Sequence, residues 1–154
     1  MVAVDKAQLL EMTGEKLDEL FAQSPPGPIP DGPAEGTAII APGTKFSADI
    51  AEFINVFGWK GKTFDGKRGV LTNRITVLGL NAIVAEVYVD KSWYDQKDCI
   101  VLDYSKTSLV AHWIRDEIRL IAPGFYLGLV YWEKKRLIHF SLQFPTTGAA
   151  TPTV

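Results

Sequence analysis

The sequence predicts a mainly β (α+β) protein, in which an antiparallel meander curls into a small barrel preceded by N-terminal helices. Three observations predict this architecture. Residues 137–144 alternate apolar and polar side chains, other short apolar runs are separated by turn residues, and the clearest helical spacing lies in the first third of the chain. About seven strands are expected, and barrels of roughly eight strands either pack their interior with side chains or hold one small ligand.

The N-terminal flank begins with a helix that Thr13 can cap. Three large apolar residues recur behind this cap at helical spacing: Leu17, Leu20 and Phe21. A proline pair then stops the helix. Residues 24–33 (SPPGPIPDGP) follow as an extended or turning connector, because proline and glycine dominate them.

Two further elements precede the main sheet. Residues 36–41 (GTAIIA) form a short apolar run between breakers, which predicts a strand. Ser47 can cap a second helix, and Gly58 stands where its left-handed C-terminal cap is expected. The apolar face of this helix consists of Ile50, Phe53, Ile54 and Phe57.

The remaining strands are predicted as three antiparallel hairpins. Asp65-Gly66 supplies the first turn, a polar segment the second, and the charged segment 133–136 the third. Their ranges are 62–65 with 70–77, 82–89 with 99–105, and 125–132 with 137–144.

Residues 109–121 match two kinds of element. A helical stripe favours a helix over this range: Val110, Trp113, Ile114, Ile118 and Ile121. The β-branched residues in the stripe, and the Pro123-Gly124 pair after it, keep a strand as the alternative.

Composition favours one domain and gives no sign of a nucleic-acid or membrane partner. The chain has 154 residues, of which 47% are hydrophobic and 22% charged, enough to bury a core and remain soluble. Its 16 basic and 18 acidic side chains give a net charge of −2, so no basic footprint for nucleic acid or an anionic membrane exists. We expect a single β-rich domain over 1–144, including a helical flank and connector over 1–35, and a flexible tail over 145–154.

Cysteine usage and the N-terminal residues predict a cytoplasmic location. Cys99 is the only cysteine, which excludes an intrachain disulfide and fits a reducing compartment. The first ten residues include Asp5 and Lys6 and lack the apolar core of a signal peptide.

Three segments resemble a set of small, uncharacterised bacterial proteins. They are residues 27–42 (GPIPDGPAEGTAIIAP), 59–64 (WKGKTF) and 99–128 (CIVLDYSKTSLVAHWIRDEIRLIAPGFYLG). No established activity belongs to that set, so the resemblance implies a bacterial cytoplasmic origin and no mechanism. More loosely, the Gly58-Trp59 element ahead of a run of strands is similar to lipocalin-like (calycin) barrels, in which such an element helps to close one end.

Three ionisable side chains are candidates for acid–base catalysis: Asp103, Glu86 and His139. Asp103 interrupts an apolar strand, where a carboxylate needs water or a cationic partner, and we expect Arg115 or Arg119 to reach it. Asp103 is then either half of a structural ion pair or a buried acid with a shifted pKa. His139 lies on the polar face of its strand, which is either the solvent face or a strip inside a cavity.

Five residues are candidates for ligand contacts: Arg74, Tyr88, Tyr104, Arg115 and Trp132. Arg74 and Glu86 occupy neighbouring predicted strands, and they either point into the barrel or form an outward cross-strand pair. Aromatic side chains can line an apolar pocket and orient a ligand through their hydroxyl and NH groups, or they simply pack the core and its rim.

The leading functional hypothesis is the binding of a small apolar or amphipathic molecule inside the barrel. No cofactor or metal is expected, because no phosphate-binding glycine loop occurs and the two histidines lack metal-ligand spacing. The alternative is a cofactor-independent lyase, isomerase or hydrolase that uses a pocket carboxylate or histidine. A protein-interaction module that docks through the barrel edge or the N-terminal helix is a third hypothesis, and a homodimer stays open.

Overall fold

The computed structural model describes residues 4–41, 48, 50, 62–75, 80–105 and 113–145, and for residues 73–75 and 80–83 it describes the backbone alone. These ranges contain two short helices and eight strands. The helices are α1 (Lys6–Glu11) and α2 (Gly14–Gln23). The strands are β1 (Gly32–Ile39), β2 (Lys62–Asp65), β3 (Val70–Ile75), β4 (Leu80–Lys91), β5 (Asp98–Asp103), β6 (Ile114–Ala122), β7 (Phe125–Trp132) and β8 (Lys135–Gln143).

Both helices begin at residues that cap their free backbone donors. At α1, the Gln8 N–H donates to the Asp5 carboxylate at 2.8 Å, and the Asp5 N–H donates back to the Gln8 side chain at 2.9 Å. At α2, Thr13 is the predicted cap, and its hydroxyl accepts from the Lys16 N–H at 3.2 Å. The chain leaves α2 at Ser24, immediately before the two prolines.

The strands form a closed antiparallel barrel in which each strand pairs with its neighbours in sequence. β1 completes the closure, because residues 32–34 pair with β2 and residues 35–39 pair with β8. Every described strand therefore has a neighbour on both sides. Closure leaves no unpaired sheet edge among the described strands, and the interaction-module hypothesis stays a prediction.

Strand alternation builds two apolar layers. Side chains that face the barrel axis form an inner layer, which includes Phe64, Ile100, Leu102, Ile118 and Phe140. Outer-wall side chains, which include Val101, Leu127 and Leu129, form a second layer together with Leu17 and Phe21 of helix α2. The outer wall is consequently a buried interface on the side that the helices cover.

The two ends of the barrel differ. At one end, named here the connector end, the proline-rich connector is tied to the wall: the Leu120 N–H donates to the Pro25 carbonyl at 2.9 Å. The Tyr126 hydroxyl donates to the Pro28 carbonyl at 2.7 Å at the same end. At the other end, named here the far end, β5 and β7 finish and β2, β6 and β8 begin.

The helix predicted over 109–121 is wrong for its described part, because residues 114–122 form strand β6. β6 lies between β5 and β7, so its backbone groups are paired on both sides and its Ile114 and Ile118 side chains enter the inner layer. Backbone hydrogen bonding to the two neighbouring strands outweighs the helical spacing of the apolar residues in this segment. Residues 109–112 lie outside the described residues.

The three predicted hairpins are confirmed, with shifted strand bounds. β1 begins at Gly32 and not at residue 36, and the last hairpin turns on two residues, Glu133 and Lys134, with φ of 51° and 72°. Such a turn matches the right-handed twist of its strands. The helix predicted from Ser47 and the tail beyond Pro145 fall outside the described residues, apart from helical backbone at 48 and 50.

Candidate functional site

Among the described side chains, the barrel interior is apolar except for a small polar cluster near the far end. Three side chains form it, and we call them the inner cluster: Lys62, Tyr104 and Asp116. Lys62 is the first residue of β2, Tyr104 follows the last residue of β5, and Asp116 is the third residue of β6. Strand starts and ends meet at the far end, so the closed topology brings these three together.

Lys62 is almost completely buried, with 3% of its surface exposed. Its Nζ donates to the Tyr104 hydroxyl over 3.4 Å. Burial lowers the pKa of Lys62, because an ammonium ion loses hydration inside the barrel, and the negative charge of Asp116 partly opposes this effect. The amine is therefore more easily deprotonated than an ordinary lysine.

Asp116 has no exposed surface, and neither carboxylate oxygen has a hydrogen-bond partner among the described residues. Burial raises the pKa of Asp116, while Lys62 and the approaching phenol of Tyr104 lower it by a smaller amount. A buried acceptor without a donor costs about 1–3 kcal/mol, and more when it is charged.

The opposite half of the interior is filled with aromatic rings. Phe144 contacts Phe64 and Tyr126, with ring centroids 5.4 Å and 5.6 Å apart. Phe140 lies between Ala38 and Gly128 on the adjoining strands, and its ring occupies the space that a side chain at position 128 would need. The connector end is thus closed by large side chains, and the polar groups lie towards the far end.

Asp103, Glu86 and Tyr88 lie on the outer wall. The Tyr88 hydroxyl donates to Asp103 at 2.7 Å, and the hydroxyl and N–H of Ser105 donate at 2.6 Å and 2.9 Å. Burial alone would raise the pKa of Asp103, but these hydrogen bonds outweigh it and hold the pKa below its ordinary value. Asp103 is therefore an ionised acid outside the barrel interior.

The expected ion pair between Asp103 and an arginine does not form. Arg115 stands opposite Asp103 in the strand register, but its guanidinium donates to Glu117 at 3.0 Å and to the Lys91 carbonyl at 2.9 Å. Arg119 is turned away and forms a two-point ion pair with Asp95, at 2.7 Å and 2.8 Å. These contacts hold the segment between β4 and β5 against the outer wall. Arg119 binds Asp95 of that segment directly. Glu117, the partner of Arg115, also accepts from the Ser92 hydroxyl and the Trp93 N–H.

Asp103 and Arg115 nevertheless line one cavity on the outer surface. Its volume is about 270 Å³, and Trp93, Trp113 and Lys134 also border it. The Arg115 guanidinium lies over the Trp93 ring at 4.3 Å, a cation–π contact. A cavity of about 440 Å³ lies at the connector end, between the connector and the turn from β6 to β7.

His139 lies beneath helix α2, with 7% of its surface exposed. Its Nε2 is 2.8 Å from an Asp18 oxygen that also accepts from Arg136 at 2.6 Å, beside a cavity of about 80 Å³. Burial lowers the pKa of His139 against the opposing effect of Asp18. The solvent-face interpretation of His139 is wrong, because the helical flank covers that strand face.

The remaining predicted residues fall in different places. Tyr104 belongs to the inner cluster, and Trp132 is half-buried and packs against the inner layer. Arg74 lies in strand β3, but its side chain is outside the described residues. Glu86 stands opposite Val70 and Asp103 in the register, so the cross-strand pair with Arg74 is wrong. Cys99 is buried, and burial raises the pKa of its thiol to about 12.

Sequence reasoning missed Lys62 and Asp116. The available signal is positional: Lys62 is two residues before the apolar Phe64 in β2, and Asp116 lies between Ile114 and Ile118 in β6. On a strand, residues two apart share a face. Each charge therefore belongs to an apolar face once the segment is assigned as a strand.

The fold and the inner cluster define a class: a closed eight-stranded antiparallel barrel, with two N-terminal helices on its wall and ionisable groups in its interior. No protein-family model and no curated protein sequence matches the chain. A solved structure, "Crystal structure of protein from Thermomonospora curvata", is similar with a TM-score of 0.60 over 88% of this chain and 89% of that chain, at 16% identity. At this identity the likeness shows the fold alone.

Within the described ranges, no helix is both long and apolar enough to cross a membrane. No group of three His, Cys, Asp or Glu side chains in the same ranges could hold a metal ion.

Proposed function

We propose that this protein binds a small amphipathic molecule inside the barrel, with the ligand's polar group at the inner cluster and its apolar body among the inner-layer side chains. The observation that carries the proposal is Asp116, a buried carboxylate whose two oxygens have no hydrogen-bond partner among the described residues. A ligand that brings a hydroxyl, amine or amide donor would satisfy it. Small-ligand sites commonly combine apolar walls with a few polar groups of this kind.

Three broader expectations belong to the same proposal. A lipocalin-like (calycin) carrier is supported by the closed barrel of sequence-adjacent antiparallel strands, and a bacterial origin stays a prediction. A cytoplasmic location is supported by the single cysteine, whose thiol is buried. Residues 1–144 as one domain, with 145–154 as a tail, stays a prediction.

Calorimetric titration with 1-octanol, a hydroxyl donor on an apolar chain, tests the proposal. We expect binding with a negative heat-capacity change, because apolar surface is buried. Asp116→Val should weaken binding about three- to ten-fold, the value of one hydrogen bond. Asp103→Val is the matched control, because it removes a carboxylate from the outer wall and should leave the affinity unchanged.

Equal losses in the two variants would place the ligand elsewhere, and absence of binding by the wild-type protein would refute the proposal for donor-bearing amphiphiles. Native mass spectrometry of the purified protein gives an independent reading. A co-purifying small molecule that is retained by Asp103→Val and lost from Asp116→Val would support the inner cluster as its site.

The enzyme alternative is favoured by one specific observation: burial moves the pKa values of Asp116 and Lys62 towards neutrality, from opposite sides. Such groups suit a lyase, isomerase or hydrolase that works by proton transfer. In this alternative the inner cluster, and not Asp103, Glu86 or His139, supplies the acid and base. Time-dependent conversion of a bound ligand, followed by mass spectrometry, separates an enzyme from a carrier.

A further inference from the structure

Lys62 and Asp116 carry opposite charges inside the same barrel, yet they are not hydrogen-bonded to each other. Both Asp116 oxygens lack a partner among the described residues, and the described contact of the Lys62 Nζ is with the Tyr104 hydroxyl. Buried ionic groups that serve stability normally satisfy each other directly. A buried amine in contact with a phenol, close to an acid whose oxygens lack a donor among the described residues, is arranged for a reaction.

We propose that Lys62 forms an imine with the carbonyl carbon of an apolar aldehyde or ketone held in the barrel interior. This inference rests on the function proposed above, because it requires a ligand in the interior. It also narrows the ligand class, from amphiphiles in general to carbonyl compounds with an apolar body.

The amine has the character that the reaction needs. Imine formation begins with the free amine, and burial lowers the pKa of Lys62 from 10.5 to about 8. Lys97 is exposed and lacks this burial, so it serves as the comparison. Lys62 is therefore the better nucleophile for a carbonyl compound that enters the barrel.

The step balances with groups already present. The Lys62 lone pair forms the C–N bond, and the carbonyl π electrons move to oxygen, which takes up a proton from the attacking nitrogen to give a carbinolamine. Asp116 in its acid form then protonates the hydroxyl, which leaves as water while the nitrogen lone pair forms the C=N bond. The products are a protonated imine, a carboxylate and one water molecule, and no oxidant or reductant is needed.

The reaction product also gives the Asp116 carboxylate a partner of opposite charge. Asp116 becomes an anion opposite a cationic iminium, and its oxygens face a charge that the ligand reaction has fixed in place. Tyr104, next to the amine, can donate to the carbinolamine oxygen as that oxygen forms. Each member of the inner cluster thus has a part in one reaction.

Octanal with sodium cyanoborohydride, which reduces an imine to a stable secondary amine, is the probe. Peptide mapping of the folded wild-type protein should show labelling of Lys62 at least about ten-fold above labelling of Lys97. The same reaction in urea should label both lysines equally. Asp116→Asn should reduce labelling of Lys62, whereas Asp103→Asn, the outer-wall control, should not.

Octanol titration on the same sample separates the two proposals. Octanol binding with no preferential labelling of Lys62 by octanal overturns the imine and leaves the binding function standing. Absence of both octanol binding and Lys62 labelling overturns both proposals. The wild-type labelling ratio decides the question even if Asp116→Asn fails to fold.

Discussion

Replacing Asp116 by asparagine should remove a large part of the pH dependence of stability between about pH 4 and pH 7. Burial raises the pKa of Asp116 from 3.8 to about 7, so the folded protein holds this proton more tightly than the unfolded chain does. The resulting stabilisation is fully present below pH 3.8 and is lost as the pH rises through about 7. At about 1.4 kcal/mol for each pH unit, a displacement of roughly three units corresponds to a loss on the order of 4 kcal/mol.

Urea unfolding followed by tryptophan fluorescence, from about pH 4.5 to pH 7.5, measures this effect as the stability difference between Asp116→Asn and the wild-type protein. The difference should grow with pH and favour the variant above neutrality. His139 has a lowered pKa and so stabilises the fold increasingly as the pH rises towards 6.5, but it does so in both proteins. Lys62, with a pKa of about 8, loses its contribution as the pH falls from 10.5 through 8, above this window.

Parallel stability curves would refute the reasoning. They would mean that Asp116 titrates alike in the folded and unfolded chain, and therefore that its carboxylate is hydrated in the folded protein. A difference of only about 1 kcal/mol would still fit a buried acceptor that lacks a donor.

Three further substitutions test packing and ion pairs. A methyl group at position 128 would overlap the Phe140 ring, so Gly128→Ala should lower stability by about 1–3 kcal/mol, and adding Phe140→Leu should recover part of that loss in thermal unfolding. Arg119→Met leaves a carboxylate and three backbone carbonyls without their donor, so a loss of about 3–5 kcal/mol is expected in urea unfolding. Asp103→Ala removes the acceptor of the Tyr88 hydroxyl, so a loss of stability of about 1 kcal/mol is expected. Tyr88→Phe removes the same hydrogen bond, so the two losses should not add in a double-mutant cycle.

A matched control exists for the change at Arg119. Lys91→Ala breaks an exposed ion pair of 2.7 Å with Asp98, and should change stability little because solvent screens the two charges. If Arg119→Met costs no more than Lys91→Ala, the buried guanidinium does not hold the loop. Additive losses for Asp103 and Tyr88 would contradict their hydrogen bond, and increased stability in Gly128→Ala would show that the Phe140 ring can move away.

Local pattern was enough to predict the hairpins but not strand β6. In β8, apolar and polar positions alternate cleanly and a charged turn marks the start, so strand and face could both be assigned. In β6, each face mixes the two kinds of residue, because Asp116 points inwards and Arg119 lies in the outer layer. The alternation of apolar and polar residues is then hidden, and a helical spacing fits the same residues. Helix α1 was also missed, although Asp5 and Gln8 have the spacing of a capping box.

The inner cluster could be predicted only in part, because burial of a charge depends on tertiary pairing. Tyr104 was identified as a ligand candidate from its aromatic character and strand position. Lys62 and Asp116 look like solvated charges in the sequence, and only barrel closure brings their faces to the interior. Asp103 illustrates the reverse case, since a carboxylate that interrupts an apolar strand proved to lie on the outer wall.

Closure of the barrel by its first and last strands has a consequence for synthesis of the chain. β1 and helix α2 leave the ribosome early, but their partners are made late: Asp18 contacts Arg136 and His139 over sequence separations of 118 and 121 residues. Translation at about 5–20 residues per second leaves the apolar face of α2 and the open edge of β1 waiting for several seconds. Contacts of such long range also form slowly once available. The nascent chain is therefore the form of this protein that is most exposed to aggregation and to capture by chaperones.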